Sequence, residues 1–208
     1  MSKSTLREVS RQAMRQRIGE IAEDLFVSRG YDATTVEDIA REAGISERTF
    51  FRYFASKAEV LFLRFEVDTH GLAEAIEARP PDEAPWLTLR HALESALENL
   101  DQESVAKRAA LFRKITETAP QILAQYFARV HASQQELCEV LWTRWKVEHQ
   151  VDADTRVIFR ALVSSVFAVL NEVELATQER PLAERRRMFR EALDAVRPAR
   201  EDLAGKPN

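Results

Sequence analysis

Arg48, Thr49 and Arg52 lie within two helical turns of one another, and Phe50, Phe51 and Phe54 stand among and beside them. Guanidinium and hydroxyl groups at this spacing can hydrogen-bond base edges and phosphates. A core helix would bury its rings and keep its cations on one solvated face, whereas a surface helix has no need of three phenylalanines. A helix that packs inward through Ile45, Phe50 and Phe54 and turns Glu47, Arg48, Thr49 and Arg52 toward a polyanion needs both.

Other chemistries find no comparable constellation. His70, His91, His131 and His149 form no HxxxH or HExxH pair, and Cys138 has no second cysteine. A Gly-rich phosphate loop, a GxSxG elbow and a carboxylate-rich metal motif are all missing. No catalytic centre, metal or cofactor is therefore expected. Cys138, near Trp142 on one helical pattern, is either a redox sensor or a buried inert thiol.

The elements that must position the cationic helix are legible around it. Ile18, Ile21, Ala22, Leu25 and Phe26 make one stripe of an amphipathic helix, and Gly30 suits a left-handed stop after it. In "TTVEDIAREAG", Thr34 with Glu37 and Thr35 with Asp38 both have capping-box spacing. Val36, Ile39, Ala40 and Ala43 then face inward on a helix of barely two turns that ends at Gly44. Ser46 caps the next helix, and Ser56 with Glu59 repeats the box ahead of "KAEVLFLRFEV". Two short helices joined by a Gly turn, followed by a long one, make a helix-turn-helix pattern.

The 208-residue chain can bury a real core, and its 5 glycines and 7 prolines beside abundant Ala, Leu, Glu and Arg predict an all-α fold. A lone cysteine suits a reducing compartment. No apolar run approaches the ~20 residues of a membrane span, and "MSKSTLREVSRQ" has no signal-peptide core, so a cytoplasmic protein is expected. The formal net charge is −4, yet residues 1–19 hold Lys3, Arg7, Arg11, Arg15 and Arg17 against Glu8 alone. This basic tip is either a polyanion contact or a frayed, solvated terminus.

The string "FVSRGYDATTVEDIAREAGISERTFFRYFASKAEVL" resembles the DNA-binding region of TetR-family transcriptional regulators, over roughly residues 11–63. The shared features are a first helix ending in "RGY", the "TTVEDIAREAG" helix, a Ser-capped recognition helix and "RYFASKAEVL" opening the fourth helix. The resemblance implies a DNA-binding set of Thr34, Thr35, Ser46, Arg48, Thr49, Phe51, Arg52, Tyr53 and Lys57. Thr34 and Thr35 would hold a phosphate, and Arg48, Thr49 and Arg52 would read the groove. Phe51 and Tyr53 would flank phosphates, and Lys57 would pair with one. Many relatives carry Tyr at the place of Phe51, which can offer only apolar contact, to a thymine methyl or to its own core.

After "RPPDEAPW" the pattern predicts helices near 86–101, 104–118, 121–148, 154–178 and 182–196. The family's counterpart of this region is a helical ligand-binding and dimerisation domain. The expected organisation is an arm and helix-turn-helix over 1–56, a ligand and dimer domain over 57–198, and a disordered tail over 199–208. Ala161, Ser164, Ser165 and Ala168 form a small-residue stripe, and with Phe189 and Leu193 they are the expected dimer interface. An internal core helix is the alternative. Phe112, Tyr126, His131, Trp142, Phe159, Arg160 and Asn171 are candidate pocket residues, although aromatics at helical spacing also make plain core. Arg160 would meet a ligand anion or a neighbouring Glu.

The chain thus reads as a homodimeric repressor on a palindromic double-stranded operator, released by a small-molecule effector, with no membrane partner. The rivals are an all-helical carrier or enzyme, and a regulator controlled by a protein partner.

Overall fold

The computed structural model describes residues 3–98, 111, 115, 120–146, 153–177 and 180–200. Among them the chain forms eight helices and no strand: α1 (Lys3–Arg29), α2 (Val36–Glu42), α3 (Glu47–Tyr53), α4 (Lys57–Glu77), α5 (Pro85–Glu98), α6 (Pro120–Trp145), α7 (Ala153–Thr177) and α8 (Leu182–Ala195). The all-α expectation holds. The helix expected at 104–118 lies outside the described residues except for Leu111 and Ile115, which are helical and buried. The expected tail lies outside them from residue 201 onward. No described helix is long and apolar enough to cross a membrane.

The chain divides into two compact units, Met1–Val67 with Ala110–Tyr126, and Asp68–Ala109 with Phe127–Asn208. In the first, the α1 stripe of Ile18, Ala22, Leu25 and Phe26 is buried with Ile39 and Ala40 of α2, Phe50 of α3, Phe54, and Val60, Phe62 and Leu63 of α4. Leu111, Ile115 and Ile122 complete this core. A Cβ at Gly19 would stand 2.7 Å from Leu63 Cδ2, so the bare backbone there makes room for the Leu63 side chain of α4. Gly30 (φ 95°) and Gly44 (φ 68°) take the left-handed conformation at the two stops predicted for them.

Local chemistry decides each helix start. Of the two possible boxes at α2, Thr35 with Asp38 is the one formed: the Thr35 amide donates to Asp38 Oδ2 and the Asp38 amide to Thr35 Oγ1, each at 3.1 Å. Hydrogen bonds from the Thr35 amide and hydroxyl to its carboxylate, helped by Arg41, hold the Asp38 carboxyl down at about 2. Ser46 caps α3 by accepting from the Thr49 amide at 3.1 Å. At α4 the box is shifted: the Glu59 amide donates to Ser56 Oγ, but the Glu59 carboxylate accepts from the Ala55 amide rather than that of Ser56.

The second unit packs Trp86 and Leu89 of α5, Leu137 and Leu141 of α6, Phe159 and Val163 of α7, and Phe189 and Leu193 of α8 into one core. The α7–α8 pair makes its most extensive helix contact. Neither α4 nor α5 carries a basic residue in its last turn. The cation that suits a helix C-terminus comes from elsewhere in the fold. Arg144 donates to the carbonyls of Ile76 and Arg79 at 3.1 and 2.5 Å, and Arg186 to those of Leu97 and Glu98, both at 3.1 Å. In the connection between α4 and α5, Glu83 meets Arg79, Thr88 and His91. Burial works to raise its carboxyl, but hydrogen bonds from Arg79, His91 and Thr88 outweigh it and bring it to about 2.

Candidate nucleic-acid interface

Helix α3 has two faces. Phe50, and Phe54 just past its end, are buried, with ring centroids 5.6 Å apart. Outward stand Glu47, Arg48 and Arg52, all exposed, with Thr49 half-buried at the rim. Phe51 is 53% exposed and meets Phe50 edge-on, so packing alone does not account for this ring. Arg52 leans over the Tyr53 ring at 5.1 Å, and Arg48 has no ion-pair partner among the described residues. The Thr49 hydroxyl lies 2.9 Å from that of Ser46, so the two form a small polar step at the start of the helix.

Three members of the predicted set make hydrogen bonds within the fold. Thr34 is 0% exposed, and its hydroxyl donates to the carbonyls of Gly30 and Leu25 at 2.8 and 3.3 Å. It closes the α1–α2 connection and has no hydroxyl left for a phosphate. Its neighbour Thr35 is exposed, but its oxygen is engaged with Asp38. Lys57 Nζ donates to the carbonyls of Tyr31 and Thr34 at 2.6 and 2.8 Å and sits 4.1 Å over the Tyr31 ring. Burial lowers its pKa, against the opposing pull of Asp32. In this structure Lys57 therefore braces the connection between α1 and α2.

A second brace had escaped the sequence reading. Arg15, counted above with the basic tip, donates from Nη1 to the Tyr53 carbonyl at 2.6 Å, lies 3.4 and 3.6 Å from Glu59 and Glu66, and stacks 4.6 Å from the Phe54 ring. It binds the C-terminal end of α3 to α1 and α4. The signal was present, because Arg15 continues the row of Ile18, Ala22 and Leu25 on the buried side of α1. The basic tip is also not an arm ahead of the first helix. Helix α1 begins at Lys3.

Of the pocket candidates, Trp142 and Phe159 are brought together, edge-on with ring centroids 5.7 Å apart. Phe112 lies outside the described residues. Tyr126 belongs to the first unit, edge-on to Phe65. Phe159 is fully buried between Trp142 and Trp145, and so is core. His131, Arg160 and Asn171 are exposed, and His131 is bonded to Gln135. Arg160 is thus not enclosed by the apolar segment that carries it. Of the interface candidates, Ala161, Ser164 and Ala168 are exposed on α7, and Ser165 is half-buried with its hydroxyl on the Ala161 carbonyl. Phe189 and Leu193 are only 2% and 0% exposed, because they face the core of their own unit and not a partner. Cys138 is buried, and burial raises its thiol pKa, as suits an inert thiol.

The profile of the bacterial regulatory proteins, tetR family, matches residues 18–63, which run from the α1 stripe through α3 into α4. The HTH-type transcriptional regulator TcmR of Streptomyces glaucescens is 30% identical over 197 residues, 93% of this chain and 87% of that protein. A transcriptional regulator of Aquifex aeolicus shares the fold with a TM-score of 0.57 at 22% identity, over 88% of this chain and 99% of its own. The FadR repressor of Thermus thermophilus, solved with lauroyl-CoA, is 25% identical with a TM-score of 0.50, over 93% of this chain and 99% of its own. The matched residues 18–63 include the capped helix α3 with its buried aromatic face and its exposed cationic one. The chain belongs to the tetR family of bacterial regulatory proteins, and it is a DNA-binding transcriptional regulator rather than an enzyme.

Proposed function

We propose that the protein is a homodimeric repressor whose paired α3 helices read a palindromic operator in successive major grooves, and that a small-molecule effector releases it. The observation that carries the reading is the outer face of α3, where Arg48, Arg52 and Phe51 are all exposed on a helix whose other face is locked into the core. Arg48 can fork onto guanine, and Phe51 can meet a thymine methyl. Residues 1–56 would serve DNA, and 57–198 would serve the effector and the second copy. Work on the chromosome would place the protein in the cytoplasm.

A second copy is the occupant we assign to the outer face of α7. Val157, Ala161, Ser164, Ala168, Asn171 and Leu175 recur at alternating steps of four and three along it, and its end residues Val157 and Leu175 are 65% and 56% exposed. That spacing is the seam of paired helices, and its small central residues permit close approach. The charged outer face of α8, with Glu184, Arg187, Glu191 and Asp194, would form the rim. An effector with an apolar body is suggested by kinship with FadR, which holds lauroyl-CoA. Linkage supplies the mechanism: a ligand preferring a dimer with wrongly spaced recognition helices lowers DNA affinity by that preference.

Selection of duplex DNA from a random pool, followed by release with candidate effectors, tests the whole reading. A symmetric site bound by two protomers and released by an acyl compound is the expected outcome. Failure to enrich any sequence would overturn it.

A further inference from the structure

The four turns of α1 that precede residue 18 fall outside the family match, yet they are helical from Lys3 and bear most of the basic tip. Arg15 fixes how one side of this extension is aimed, because its guanidinium reaches the last carbonyl of the recognition helix at 2.6 Å. Arg11 and Arg7 lie one and two turns nearer the N-terminus, turning progressively from that side toward its flank. They are rotated by about 40° and 80° and displaced by about 6 and 12 Å along the axis. Both are exposed, and neither has an ion-pair partner among the described residues. The helix that grips the end of α3 therefore carries two unneutralised guanidinium groups onward past it.

We propose that Arg7 and Arg11 form a second DNA-contacting site, which holds phosphates flanking the base pairs read by α3. The inference rests on the reading of α3 as the recognition helix. Charge complementarity names the occupant: two free cations on the helix that braces the end of α3 suit a run of phosphates. Arg15 takes no part in the contact. Its charge is spent on Tyr53, Glu59 and Glu66, and it serves to aim the other two. The contact adds affinity without sequence preference.

The test uses the full-length protein and a duplex that it has selected from a random pool, made once with long flanks and once trimmed to the selected half-sites. The Arg7→Gln/Arg11→Gln variant should flatten the slope of log affinity against log salt by about 0.9 per lost contact, or nearly two per subunit. The deficit should appear on the long duplex and shrink on the trimmed one. Arg7→Lys/Arg11→Lys should keep the parental slope. Arg17→Gln removes the same charge about a third of a turn away from Arg11 and should also leave the slope unchanged. An unchanged slope in the double Gln variant, or an equal loss in Arg17→Gln, would overturn the site while α3 remains the reader. A parental protein that selects no duplex would overturn both.

Discussion

The two units leave opposite kinds of surface uncovered. The first exposes Arg48, Arg52 and an aromatic, Phe51, on α3, while the second exposes Ala161, Ser164 and Ala168 along α7. Long charged groups reach out to a ligand that keeps its own hydration and charge, whereas short side chains invite another backbone to come close. Inside, the units are more alike than their surfaces suggest. Each relies on an arginine supplied from a distant helix to satisfy a helix C-terminus, Arg15 at α3 in one and Arg144 at α4 in the other. The lesson is that charge count does not locate a binding surface. What matters is which cations the fold has already used.

The contrast breaks most visibly at α7. Ala168→Glu should weaken the proposed dimer by at least a hundredfold, since like charges facing each other across a close contact cost several kcal/mol. Sedimentation at a series of concentrations measures this, and a dimer as tight as the parent's would move the interface away from α7. Next in size is Lys57→Met. It removes donors from two carbonyls in the helix-turn-helix and should cost about 2 kcal/mol in urea unfolding. A variant of parental stability that merely bound all DNA more weakly would return Lys57 to the role of phosphate clamp.

Arg48→Ala should leave stability within about 0.5 kcal/mol of the parent, as exposed positions do. It should relax discrimination at one base position per half-site by about 1–3 kcal/mol. Repeating the selection with the variant reads this directly, and an unaltered preferred sequence would transfer base reading to Thr49 and Arg52.

The smallest effect is confined to acid. Glu83 in one unit and Asp38 in the other both have folded values of about 2, below the ordinary carboxylate range. Depressed carboxyls stabilise the fold fully above about pH 5, and that contribution is lost as the pH falls toward 2. Glu83→Gln should therefore flatten the acid limb of the stability profile below about pH 5. The Asp38 share would remain, and an unchanged limb would show that the Arg79–Glu83–His91 group is not linked to folding.

The helix-turn-helix was legible because its signals are local. A cap and its acid lie three residues apart, and Gly44 has to supply a positive φ. Even there, Thr34 and Thr35 carried equivalent patterns, and only the depth of Thr34 beneath the α1–α2 connection separates them. The brace made by Lys57 was hidden for a similar reason. A cation in the first turn of a helix opposes the dipole, which signals that something else holds it, but the two carbonyls that do so are more than twenty residues away. The second unit was harder. Periodicity says that Phe159, Phe189 and Leu193 are buried but not against what, so core, pocket and interface look the same in sequence.

The brace at Lys57 also gives the fold a chemical clock. Amine-directed reagents need a free, unprotonated nitrogen, and this one is hydrogen-bonded to two carbonyls beneath the Tyr31 ring. Its acylation should wait for the α1–α2 connection to open. Because acylation removes both the charge and two donors, a modified chain could not close in the same way again. Mass-resolved labelling at Lys57 would then count openings of the DNA-reading unit, and bound operator should slow the count.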